Sequence, residues 1–135
     1  QIVLAPYYGL EPGRGRGHAD HIACGHVVSH GVNFAHLEKY PAEGPAHAVK
    51  KVLYYFLPPF MRPTFIVPVD EEFPQAIKAL ANHKSQFDRS DRPKFFPTRL
   101  EAFAGYLGAQ VGAKYGQAFY VQDVLKVDDP QLLFS

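Results

Sequence analysis

The apolar positions of this chain fall into short, clearly bounded groups. Ile2 to Ala5 is an apolar run closed by Pro6, which predicts a buried strand. Tyr7 to Gly17 is rich in Gly, Pro and Arg and reads as a loop. From Asp20 to Leu37, Ala23, Val27, His30, Phe34 and Leu37 recur at steps of four, three, four and three, the period of a helix. Cys24, Val28, Gly31 and Ala35 widen that stripe, Asp20 is placed to cap the helix, and His30 is expected in the core. Pro41 to Ala48 breaks the pattern. Lys51 to Leu57 has strand composition and ends at Pro58-Pro59, and Thr64 to Val69 is a second strand candidate whose Pro68 suggests an edge or an end. Asp70 or Glu71 starts a helix to about Phe87, with Phe73, Ile77 and Leu80 on one face. Pro97-Thr98 opens another, through about Val111, and Phe119 to Val121 reads as a last short strand. This order predicts an α/β layered fold, one domain over residues 1–135.

Composition narrows the function classes. A chain of 135 residues suits one domain that buries roughly two-thirds of its surface. Apolar residues at 47% and charged residues at 20% exclude a disordered chain. The net charge of +1 gives no electrostatic case for nucleic acid or a membrane surface, and no apolar run approaches the ~20 residues of a spanning helix. Cys24 is the single cysteine, so no internal disulfide forms and a reduced, cytoplasmic setting is expected. The chain enters its first strand directly after Gln1, which reads as the start of a fragment or as a trimmed form of a complete small domain. A sheet lacking strands exposes an edge and apolar faces, so self-association is expected.

The candidate chemistry lies in Gly17-His18-Ala19-Asp20-His21. His18 and His21, spaced i, i+3 at a helix start, share one side. Asp20 is available to hold an imidazole N–H and so fix a ring tautomer. Among seven histidines the spacing alone leaves two readings open: part of a metal site, or a cap with surface histidines. Gly13 to Gly17, carrying Arg14 and Arg16, lacks phosphate-loop spacing. It reads as a solvated loop or as one that closes over an anionic substrate.

Gly-His-Ala-Asp-His-Ile-Ala, following a strand that ends in Ala-Pro, resembles the His-Pro-Asp-His motif of the PIG-L/LmbE-type zinc deacetylases. Further segments in the right order resemble the same family: Lys50 to Tyr55, Pro63 to Val67 with Glu72-Phe73, Ala79 to Phe87, Leu100 to Leu107, and Gly112 to Phe119. The bacillithiol-biosynthesis branch, acting on N-acetylglucosaminyl-malate, is similar. The resemblance implies the C-terminal portion of a Rossmann-like three-layer sandwich. It implies a zinc-dependent amide hydrolase acting on a small N-acetyl sugar, and a homo-oligomer. His21 matches the zinc ligand, His18 the histidine that stabilises the oxyanion and protonates the leaving amine, and Asp20 the carboxylate that orients it. His83 and Gln86 lie where the family places substrate-side polar groups, or else at a surface helix end, and Arg16, in the loop that closes over an anionic substrate, is the further substrate-binding candidate.

The chain also departs from that pattern. It has no His-Pro-Asp-Asp string, which in the family supplies the other ligands and the base; Ala19 replaces a proline, and Gln117 an acid. Catalytic zinc takes three protein ligands and an open position, and only His21 is matched here. An incomplete zinc site, inactive without further residues, is therefore expected, and the alternative is a non-catalytic assembly module of the same fold.

Overall fold

The structure, a computed structural model, describes residues 1–9, 17–84 and 96–133. It divides into two compact units, Gln1–Arg62 with Tyr120–Ser135, and Pro63–Phe119.

In the first unit β1 (Ile2–Pro6) and β2 (Lys51–Tyr55) pair in parallel, with Val3 opposite Val52 and Ala5 opposite Tyr54. A parallel pair needs a crossover, and α1 (Ala19–Ala35) supplies it by packing on β1. Side chains alternate along a strand, so Ala5, fully buried, lies on one face, while Ile2 and Leu4, on the other, are exposed. The ladder continues past β1 through Tyr7 N–H to the Tyr55 carbonyl (2.7 Å). Tyr120 pairs with Tyr54 through two 2.9 Å hydrogen bonds, bringing the late part of the chain onto β2. Tyr7, Tyr8, Tyr54 and Tyr120 form an aromatic cluster with centroids 5.5 to 6.4 Å apart.

The face of α1 that packs is not the expected stripe. Ala23, Val27, His30, Phe34 and Leu37 are all exposed, whereas Ile22 and Gly25 are buried and Val28, Ser29, Val32 and Ala35 half-buried. The two faces share the same period, and the helix turns the one containing Gly25 inward because only glycine admits the close approach of β1. A Cβ on Gly25 would collide with the Pro6 carbonyl oxygen and lie 2.8 Å from Tyr8 Cβ. His30 is accordingly no core histidine; its ring meets Phe34 edge-on at the surface (6.4 Å).

In the second unit β3 (Phe65–Pro68) and β4 (Gly116–Phe119) pair antiparallel, Phe65 opposite Phe119 and Pro68 opposite Gly116. Pro68 ends its strand, as its missing N–H requires. The last strand therefore lies slightly earlier than Phe119 to Val121. α2 (Glu72–Ala81) carries half-buried Phe73, Ile77 and Leu80 on one face as expected, with Pro74 tolerated in the first turn. Its C-cap is Asn82, and the expected end near Phe87 lies outside the described residues. α3 (Phe96–Ala109) packs on β3 and β4 and buries Ala104 and Leu107. Asp70 accepts hydrogen bonds from the backbone N–H groups of Tyr115 (2.7 Å) and Lys114 (3.3 Å), tying the start of α2 to the approach to β4. A short 3-10 turn covers Pro130–Leu133.

The mixed α/β class expected from the sequence is the one observed. No helix among the described residues is long and apolar enough to cross a membrane.

Candidate functional site at the start of helix α1

Loops that follow the carboxyl ends of parallel strands are where open α/β sheets place their ligands. Here β1 ends at Pro6, and Gly17, whose φ of 142° suits glycine alone, precedes α1. His18 follows at the first helix boundary. Its backbone is extended (φ −82°, ψ 134°), and its side chain Nδ1 accepts the Asp20 N–H at 3.3 Å. His18, and not Asp20, is thus the N-cap. Asp20 lies in the first turn, where the helix dipole favours a carboxylate. The difference of two positions turns on which residue first takes helical angles, which side-chain type alone does not decide.

The same Nδ1 lies 3.5 Å from Asp20 Oδ2. One nitrogen cannot accept the backbone N–H and donate to the carboxylate at once. With Nδ1 as acceptor, the neutral ring carries its proton on Nε2, free to donate elsewhere. With both nitrogens protonated, the ring forms an ion pair with Asp20. Both side chains are mostly exposed, so this pair contributes little to stability; its consequence is the direction of the ring.

His21 lies one turn on, its ring centroid 5.4 Å from that of His18. It also stacks on Phe56, 4.7 Å away and tilted by 22°. Phe56 directly follows β2, so the carboxyl ends of both parallel strands contribute to one cluster: His18, Asp20, His21 and Phe56. Sequence reasoning missed Phe56, and no local signal marks it, because the contact spans the whole crossover.

Of the other expected site residues, His83 lies exposed just after α2 in the second unit. Arg16 and Gln86 lie outside the described residues. Cys24 is a free, exposed thiol. Among the described residues no three His, Cys, Asp or Glu side chains lie close enough to hold a metal ion. A catalytic zinc needs three protein ligands, so the described residues do not by themselves fit one.

No family model matches the chain. Solved structures do. The chain is similar to the conserved protein TT1542 from Thermus thermophilus, with 29% identity and a TM-score of 0.74, over 93% of this chain and 53% of that one. It is also similar to N,N′-diacetylchitobiose deacetylase from Pyrococcus horikoshii, in complex with its inhibitor MPG, with 22% identity and a TM-score of 0.71, over 99% of this chain and 47% of that one. The fold is the deacetylase fold. The chain spans about half the length of these neighbours, a share that fits a portion of that fold. The deacetylase fold also serves a different reaction: GalB, the 4-carboxy-2-hydroxymuconate hydratase from Pseudomonas putida, matches at 14% identity and a TM-score of 0.63, over 95% of this chain and 54% of that one. Fold therefore leaves the reaction to be argued from the site.

Proposed function

We propose that the start of α1 forms part of a hydrolytic site that removes the acetyl group from an N-acetylglucosamine-type sugar, N-acetylglucosaminyl-malate being one such substrate. The observation that carries this reading is the His18 cap. Holding Nδ1 on the Asp20 N–H leaves Nε2–H as a donor beside His21, at the carboxyl ends of two parallel strands. In amide hydrolysis water adds to the acetyl carbonyl carbon, the C–N bond breaks, and the departing nitrogen takes up a proton. An imidazole N–H serves first the oxyanion and then that nitrogen. Asp20, its Oδ2 3.5 Å from the same ring, stabilises it when charged. His21 is the proposed zinc ligand, and a working metal site needs ligands from beyond the described residues. The similarity to a chitobiose deacetylase supports the substrate class.

A second reading, a non-catalytic assembly module of the same fold, is favoured by the exposed Ile2 and Leu4 (60% and 58% exposed) on one face of β1. Parallel sheets are ordinarily covered on both faces, so that face suits a partner or a second copy.

The deciding experiment measures zinc content and acetate release from N-acetylglucosaminyl substrates by the complete gene product. His21→Ala is expected to lose zinc. His18→Ala is expected to keep it while losing on the order of 10²- to 10³-fold in kcat. A wild-type product without bound zinc or acetate release leaves the assembly reading standing, and a fully active His21→Ala removes the assigned role of His21.

A further inference from the structure

The geometry points to Phe56 as a positioning residue that sets the ring plane of His21. Three observations converge on it. Phe56 has φ +56°, and among the described residues it is the only non-glycine in the left-handed region. A bulky side chain there is costly and persists only where the surroundings hold it. Burial does not account for that cost, because Phe56 is 52% exposed. Its ring contacts do: the face lies on His21 at 4.7 Å and 22°, and Tyr55, on β2, meets it edge-on at 4.7 Å and 65°. The left-handed turn thus takes a residue leaving the strand and lays it over the first turn of α1.

The stack restrains what a histidine leaves loose. The final torsion of a histidine side chain has broad minima, so an imidazole that must present one nitrogen along a fixed line needs a second restraint. Commonly that is a hydrogen bond to the other nitrogen. Here a flat aromatic surface restrains the ring plane without itself using the ring edge that carries both nitrogens. The immediate sequel Leu57-Pro58-Pro59 restricts the backbone beyond Phe56, so the platform is held from both sides of the chain. The functional part of this assignment rests on the proposed role of His21; the placement itself does not.

The test compares Phe56→Gly, Phe56→Leu and Phe56→Tyr in the complete gene product. Each is followed by thermal melting, by NMR of the His21 ring C–H signals, and by steady-state release of acetate from an N-acetylglucosaminyl substrate. Glycine relieves the left-handed backbone as it removes the ring contacts that offset it, so Phe56→Gly is expected to melt near the wild-type temperature. Its His21 signals are expected to lose the upfield displacement of a stacked ring. Its kcat is expected to fall on the order of 10- to 100-fold at unchanged KM. Phe56→Tyr keeps the flat face and is expected to retain the displacement and kcat, and Phe56→Leu to lose both. A residue with a merely structural role would show the reverse for glycine, lost stability with unmoved His21 signals, and that result overturns the assignment. Full kcat in Phe56→Leu overturns it as well. If the wild-type product releases no acetate, the hydrolase reading fails, and the NMR comparison alone decides Phe56: displaced signals kept in tyrosine and lost in glycine uphold the placement, and signals unmoved in glycine refute it.

Discussion

Replacing Gly25 with alanine adds one carbon at the closest approach of α1 to β1. In an exposed helix that change stabilises by about 1 kcal/mol, because alanine loses less backbone freedom. At Gly25 the new Cβ would collide with the Pro6 carbonyl oxygen and lie 2.8 Å from Tyr8 Cβ and 3.3 Å from Tyr8 Cδ1. Carbon atoms rest at about 3.5–4.0 Å, so the helix must retreat by roughly 0.7 Å or more. The colliding oxygen belongs to the backbone at the end of a paired strand and cannot rotate away. Overpacking of this kind costs about 1–3 kcal/mol. Set against the propensity gain, a net loss of up to about 2 kcal/mol is expected. Gly31 lies on the same helix with nothing within 4 Å of its would-be Cβ. Gly31→Ala therefore keeps the gain of about 1 kcal/mol and is expected to stabilise. Thermal denaturation of both variants reads the difference as melting temperatures moving in opposite directions, by several degrees for Gly25→Ala and a few for Gly31→Ala. A Gly25→Ala protein as stable as Gly31→Ala would refute the packing of α1 on β1 described above.

Other consequences are open to the same measurements. A Cβ on Gly108 would lie 2.7 Å from Tyr115 N and 2.8 Å from Ala113 O, so Gly108→Ala is expected to destabilise the α3–β4 packing by about 1–3 kcal/mol in urea denaturation. Asp70→Ala leaves the half-buried Tyr115 N–H without its 2.7 Å acceptor, an expected loss of about 1–3 kcal/mol by the same assay, with Asp70→Asn losing less because one oxygen remains. Burial raises the Tyr54 hydroxyl pKa, against a lowering by the Ser29 hydrogen bond (2.8 Å), so the folded chain holds that proton more tightly than the unfolded one. The resulting stability is whole below the ordinary tyrosine value of 10.0 and declines as pH rises through the raised one. Tyr54→Phe is expected to flatten that alkaline decline in stability-versus-pH curves, and an unchanged slope would assign the decline to other groups.

Much of this architecture is legible from local pattern. The apolar runs bounded by proline mark β1 and β2, because a strand is recognised by short-range composition and a hard stop. The period from Asp20 to Leu37 marks α1, and Phe73, Ile77 and Leu80 mark the inner face of α2, since side-chain direction repeats with the helix whatever lies nearby. The His18–His21 pair is likewise local: a spacing of three at a helix start places two imidazoles side by side before any tertiary contact forms. What the pattern did not decide was which side of α1 faces inward. Two stripes of the same period run along it, and the steric allowance at Gly25 selected the one that excludes Val27, His30 and Phe34. Nor did it decide whether His18 or Asp20 caps the helix, a choice made by backbone angles after Gly17. Phe56 was beyond local reach altogether. Its partner His21 lies on the far side of a parallel crossover, and only strand pairing brings the two rings together. Sequence thus determined the elements and the residue types at the site, through interactions a few positions apart. Tertiary structure decided which faces pack and which ring His21 meets, because those depend on contacts between positions far apart in the chain.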